Sequence, residues 1–276
     1  MSSVKDISSV PQDLEIPEIS SGLPGPGKRV RMTLQEYKGT DVHHLLYLPG
    51  NWGKGRKFPV IVEYAGNGPY HNKYGDVSDG TVEGSKLGYG ISAGKDFIWV
   101  CLPYVNLKEK KNQCQWWGDV GATVDYCCKA VKMICNEYGG DAEKLIISGF
   151  SRGAISCNYI GLHNERIAKL WRAFIAFSHY DGVREDWRYE GADRSSALQR
   201  LKRLRGRPQF ICNEGESCAA TEEYLKSTGI KGDFTFQPTF FRNHNDAWIL
   251  RESKSRRNLR KWLKKVLTDH SSAGSL

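Results

Sequence analysis

The stretch Leu145-Ile146-Ile147-Ser148-Gly149-Phe150-Ser151-Arg152-Gly153-Ala154 sets a hydroxyl between two glycines, directly behind an apolar run. A serine hydroxyl is a poor nucleophile until a base takes its proton and N–H groups receive the charge of the tetrahedral intermediate. Gly-x-Ser-x-Gly spacing serves that chemistry when the serine sits on a sharp strand-to-helix corner, where side chains two residues before and after would collide with neighbouring backbone. Gly149 and Gly153 fill those places. Ser151 is therefore the candidate nucleophile. The backbone N–H of Arg152, at the positive end of the helix that follows, is a candidate oxyanion donor. The bare pattern is common, and its setting between strand and helix gives it weight. The plain alternative is a serine acting as helix N-cap with glycines for loop packing.

That corner needs a sheet beneath it. Residues 1–27 are rich in Ser, Pro and Gly without periodicity and read as an N-terminal arm, loose or laid across the domain or a partner subunit. From Lys28 onward strand-like and helix-like segments alternate, which predicts an α/β fold with a mostly parallel central sheet and helices on both faces. Segments 30–37 and 42–47 flank a turn at Gly39-Thr40-Asp41 and read as an antiparallel pair. Residues 58–64 and 96–105 are near-continuous apolar runs, the pattern of strands buried on both faces. The glycine-rich stretch 66–95 between them reads as one long loop. Val120, Val124, Cys127, Val131, Ile134 and Cys135 space a helix over 119–138, ended by Gly139-Gly140. Strands are expected at 144–149, 174–178, 209–213 and 234–240, and helices at 151–162, 195–204 and 221–227. A terminal amphipathic helix has Leu259, Trp262, Leu263 and Val266 on its inner stripe. The parse is one domain over 28–270, with a tail at 271–276.

In motif and element order the chain resembles the α/β-hydrolases, of the serine-esterase, polyhydroxybutyrate-depolymerase-like or peptidase-like kind, over roughly residues 30–268. The resemblance implies an α/β-hydrolase fold with a small lid region, an acyl-enzyme intermediate, no metal or organic cofactor, and a triad in the order Ser, acid, His. His244, in Arg242-Asn243-His244-Asn245-Asp246, follows the last expected strand and takes the place of the family's base. His179, in Ser178-His179-Tyr180-Asp181-Gly182, also sits at a strand end where ligands bind in such sheets. The acid is open. Where the family commonly reads Gly-Glu-x-Asp, this chain has Glu214-Gly215-Glu216-Ser217-Cys218, with Cys218 in the aspartate's place. Glu216 ranks first and Glu214 second. Asp181 is third, because some members place the acid one strand earlier. The loop Ala65-Gly66-Asn67-Gly68-Pro69 resembles the family's HG-type oxyanion loops without their histidine, which makes Gly66 and Asn67 further oxyanion candidates. A plain Asn-Gly turn is the other reading.

Aromatic side chains gather where the mouth should be: Tyr64, Tyr70 and Trp117, with Tyr74, Tyr89, Trp116, Trp187 and Tyr189. They could pack an aryl or acyl group or stack on a sugar, while Arg152 and Arg242 would tolerate an anionic group. The function expected is hydrolysis of a small-molecule carboxylic ester. Amide cleavage, acyl transfer and lyase-type proton abstraction use the same parts. A hydrolase-like binding protein without catalysis is the alternative from another class, favoured by Cys218 and the basic C-terminal helix. Cys157, on the helix after Ser151, is a lesser nucleophile candidate with no histidine paired to it by sequence order.

Composition narrows the rest. The 276 residues carry a net charge of +9 and eight cysteines, with no C-x-x-C pair and no zinc-ligand spacing. Reduced thiols and a cytoplasmic location are expected, since no basic region followed by an apolar one opens the chain. No run approaches the roughly 18–20 apolar residues of a membrane span. Residues 251–265 hold eight basic residues and one acid, read as the solvated face of the terminal helix. No nucleic-acid module accompanies that charge, so nucleic-acid binding is not expected. The oligomeric state is left open.

Overall fold

The computed structural model of the chain describes residues 4–269; the expected tail at 271–276 lies outside the described residues. Nine strands form the main sheet: β1 (Ile19–Ser20), β2 (Arg29–Met32), β3 (His44–Tyr47), β4 (Phe58–Tyr64), β5 (Ile98–Leu102), β6 (Gly140–Phe150), β7 (Ala173–Phe177), β8 (Gly206–Asn213) and β9 (Gly232–Pro238). Their spatial order is β1-β2-β3-β5-β4-β6-β7-β8-β9. From β5 to β9 every neighbouring pair is parallel, whereas β3 runs antiparallel to both β2 and β5. This is the mostly parallel sheet that the alternating sequence predicts.

Among the described residues seven helices flank it: α1 (Leu87–Ser92), α2 (Val120–Glu137), α3 (Arg152–Tyr159), α4 (Glu165–Ala168), α5 (Arg194–Leu201), α6 (Ala219–Thr228) and α7 (Lys254–Thr268). The central strands read as unbroken apolar runs because both of their faces are covered. Val60, Val62, Val100, Ile147 and Phe174 pack with α2 and α3. The alternate residues Ile61, Trp99, Ile146, Ile175 and Phe177 pack with α1 and α7. Asp119 caps α2 by accepting from the Ala122 N–H, and the helix stops ahead of Gly139 at φ +75°.

Two expectations change, and one alternative left open is decided. Residues 35–37 form a 3-10 turn rather than the end of a strand. The stretch 66–95 is not wholly loop, because α1 lies inside it with Leu87 and Ile91 buried. Its glycines hide the helix from a sequence reading, yet they serve packing. A Cβ on Gly88 would stand 2.1 Å from the Trp99 ring, and one on Gly90 2.3 Å from Ile249. The arm is not loose over the described residues: β1 pairs with β2, Ile7 is buried, and Asp13 forms an ion pair with Arg256 of α7. That same pair means that the basic face of α7 is not uniformly solvated. Among the described residues no helix is long and apolar enough to cross a membrane.

Candidate active site

Ser151 stands between β6 and α3 at φ +54° and ψ −114°. A residue bearing a Cβ is strained there by about 1–3 kcal/mol, and the surroundings must over-determine it. They do. The Ser151 N–H donates to the Phe177 carbonyl at 2.9 Å, and its own carbonyl accepts from Ala154 and Ile155. The flanking glycines are obligatory: a Cβ on Gly149 would lie 2.1 Å from the Gly153 carbonyl oxygen, and one on Gly153 1.9 Å from that of Tyr64.

The corner aims Ser151 Oγ at His244, whose Nε2 lies 3.1 Å away across 93 positions of chain. On the other side of the ring, Nδ1 stands 3.1 Å from Glu214 Oε1 and 2.7 Å from Ser178 Oγ. Phe150, His179 and Tyr70 surround the imidazole with ring centroids 4.8, 5.3 and 5.2 Å away. Burial alone would push the Glu214 carboxyl up. The hydrogen bond and charge of His244, with help from backbone and Ser178, bring it below its ordinary value. Turned to match its neighbours, the Asn213 amide donates to Glu214 Oε2 and to the Ser178 carbonyl.

Of the three candidate acids, the structure brings Glu214 to His244 and leaves the other two away from it. Glu214 is the last residue at the sheet edge before the chain turns at Gly215, φ +76°. Gly215 is zipped to the histidine loop by two bonds: its N–H donates to the Phe241 carbonyl at 2.7 Å and its carbonyl accepts from Phe240 at 2.9 Å. Glu216, ranked first, lies beyond that turn and is exposed. Cys218, in the expected aspartate's place, is buried with its thiol toward the Ile211 carbonyl. Asp181 is held in a buried fork by Arg200, at 2.7 and 2.9 Å, and does not join the site.

Arg152 is the first residue of α3, so its N–H has no carbonyl one turn earlier and is free for an oxyanion. Its side chain overturns the anionic-substrate expectation. Arg152 is 1% exposed, and its guanidinium stacks 3.9 Å from the centroid of Tyr104 and donates to the carbonyls of Ala65, Gly66, Gly80, Gln113 and Trp116. Burial lowers its pKa to about 10, which still leaves a cation at neutral pH. It therefore staples the loop that carries Gly66 and Asn67. Asn67 Oδ1 accepts from the Trp116 N–H at 2.8 Å, which fixes the side chain against that loop. Arg242 is likewise engaged, with both of its bonds on Asp6 of the arm.

Of the aromatic candidates, Tyr64 and Trp117 belong to the core. Tyr64 shares the strand face of Val60 and Val62, with its ring 5.0 Å from Tyr104. Trp117 stacks on Tyr159 at 4.3 Å. Tyr70 and His179 do reach the site. Burial, and then the charge of His244, depress His179 to about 4, which keeps its ring neutral. Sequence reasoning missed Ser178, which follows β7 at φ +88°, and Asp76, which holds the histidine loop. The position of Ser178 just past a strand end was the only available signal. Among the described residues no cluster of three or more His, Cys, Asp or Glu side chains is placed to ligate a metal.

No family model matches the sequence, and no curated protein matches it. Solved structures match its fold. The AtxE2 isopeptidase aligns with TM-score 0.57 at 14% identity, over 90% of this chain and 41% of the isopeptidase. Dipeptidyl peptidase 4 from Porphyromonas gingivalis aligns with TM-score 0.53 at 15% identity, over 89% and 36%. An esterase from the fungus Rhizomucor miehei aligns with TM-score 0.54 at 11% identity, over 89% and 84%. The chain thus spans well under half the length of the two peptidases. Sheet order, serine corner and these likenesses converge: in fold, this chain is an α/β-hydrolase.

Proposed function

We propose that the chain is a serine hydrolase of carboxylic esters, with Ser151 as nucleophile, His244 as base and Glu214 as the acid that orients it. The observation that carries the reading is the continuous line from Ser151 Oγ through both nitrogens of His244 to Glu214, at 3.1 Å on each side. His244 Nε2 takes the hydroxyl proton as Oγ attacks the ester carbonyl, and the oxyanion falls to the backbone N–H of Arg152 and of Gly66 or Asn67. The imidazolium returns the proton to the departing alkoxide, leaving an acyl-enzyme. Water, deprotonated by the same nitrogen, releases the acid and restores Ser151.

A row of rings supports an aromatic or other flat group on the substrate. Tyr70 and His179 flank His244 at 5.2 and 5.3 Å, Trp187 lies 5.6 Å beyond His179, and Trp116 5.1 Å beyond Trp187. Ester cleavage is preferred over amide cleavage because the esterase likeness runs over most of both chains. The eight free thiols support the cytoplasmic location proposed with it.

The test is labelling with a fluorophosphonate probe, together with hydrolysis of p-nitrophenyl benzoate, p-nitrophenyl cyclohexanecarboxylate and a p-nitroanilide. Wild type should be labelled and should favour the benzoate, and Ser151→Ala should do neither. An unlabelled, inactive wild type would remove the hydrolase reading.

A further inference from the structure

We propose that Asp76 is the positioning residue for His244. The proposal rests on the hydrolase reading above and adds to it a carboxylate from the glycine-rich segment that holds the backbone of the histidine, where Glu214 meets its ring.

Asp76 is 1% exposed, and its two oxygens accept from four amide groups. Oδ2 takes the backbone N–H of His244 itself at 2.9 Å and the Asn72 side chain at 2.8 Å. Oδ1 takes the Asn243 side chain at 3.0 Å and that of Asn245 at 3.4 Å. Three consecutive residues, Asn243-His244-Asn245, are thus gathered on one carboxylate. The other ends of the two asparagines are used as well. Asn243 Oδ1 accepts from the Ile7 N–H of the arm at 2.7 Å, and Asn245 Oδ1 caps the turn Asp246–Leu250 through the Ala247 N–H.

The histidine loop needs such an anchor because it lies between β9 and that short turn, in neither helix nor strand. A hydrogen bond to the His244 backbone fixes where the side chain starts, while Glu214 and Ser178 fix where the ring points. Misplacing a reacting group by about 1 Å costs on the order of a hundredfold in rate. Asn72 secures Asp76 in turn: its Oδ1 accepts from the N–H groups of Tyr74 and Asp76, which closes the loop on itself.

Asp76→Asn keeps shape and size but replaces one acceptor by an NH₂ facing two N–H donors. With p-nitrophenyl benzoate we expect kcat to fall roughly a hundredfold while KM stays within about twofold, and fluorophosphonate labelling to slow in parallel. Asn72→Ala, which loosens Asp76 without touching the histidine loop, should shift the same parameters less. It carries the test alone if Asp76→Asn does not fold. A kcat within twofold of wild type in the folded variant would overturn the proposal, as would a KM that rises as steeply as kcat falls, the sign of general loosening. An unlabelled wild type would instead sink the hydrolase reading, whereas a labelled wild type with an equally reactive Asp76→Asn would sink this inference alone.

Discussion

The Ser178 hydroxyl stands closer to Nδ1 of His244, at 2.7 Å, than the Glu214 carboxylate does at 3.1 Å. Ser178 holds that place from a left-handed backbone conformation, φ +88°. Its hydroxyl can accept from Nδ1–H and donate to Glu214, steadying both. Ser178→Ala should lower kcat about two- to tenfold, the worth of one net hydrogen bond. Ser178→Gly should lose the same activity but melt at a higher temperature than the alanine variant, because glycine relieves the strain. Unchanged kcat in the alanine variant would remove Ser178 from the site.

The three acids separate cleanly. Glu214→Gln should reduce kcat by about 10³–10⁴, since the imidazole loses the partner that sets its tautomer. Glu216→Gln should change kcat less than twofold. Asp181→Asn should strike stability instead, by about 3–5 kcal/mol, because it leaves Arg200 buried without its partner. Parallel kinetics and melting curves of the three variants provide the check.

Arg152 is a loop staple, not a substrate contact. Arg152→Met should destabilise the chain by at least about 3 kcal/mol, since several carbonyls lose their donor at once. Residual activity should fall equally on neutral and acidic esters. A selective loss on the acidic ester would restore the sequence expectation.

Two buried histidines set an acid limit. Burial pushes His44 down to about 3, and burial with the charge of His244 pushes His179 to about 4. Between about pH 6.5 and 4 the unfolded chain binds protons on these residues that the native chain does not, so what these two residues contribute to native stability falls as pH falls. The slope is about 1.4 kcal/mol per pH unit for each histidine. Above pH 6.5 their contribution is level. The change in denaturant midpoint between pH 7 and pH 5 should differ in His44→Gln from that of wild type by one histidine's share, with the His179 share left in place.

How much of this was legible depended on whether the signal was periodic. The strand and helix order could be read because apolar spacing reports burial, and Ser151 because its two glycines answer a backbone collision. His244 could be placed by its position after the last strand. Choosing between Glu214 and Glu216 required the turn at Gly215, which a two-residue spacing does not encode. Tyr64 was misread from its aromatic character, although it closes the apolar run 58–64 that already reads as a strand buried on both faces. Asp76 had no signal at all, being one acid in a glycine-rich segment whose value comes from residues 167 to 169 positions away.

The clasp between Ile7 and Asn243 joins groups 236 positions apart. During synthesis at roughly 5–20 residues per second, the first half of that clasp waits on the order of 10–50 seconds for the second to leave the ribosome. The histidine loop is thus among the last parts that can settle. A nascent chain arrested at residue 240 would already carry every strand segment of the main sheet and yet lack the histidine that faces Ser151.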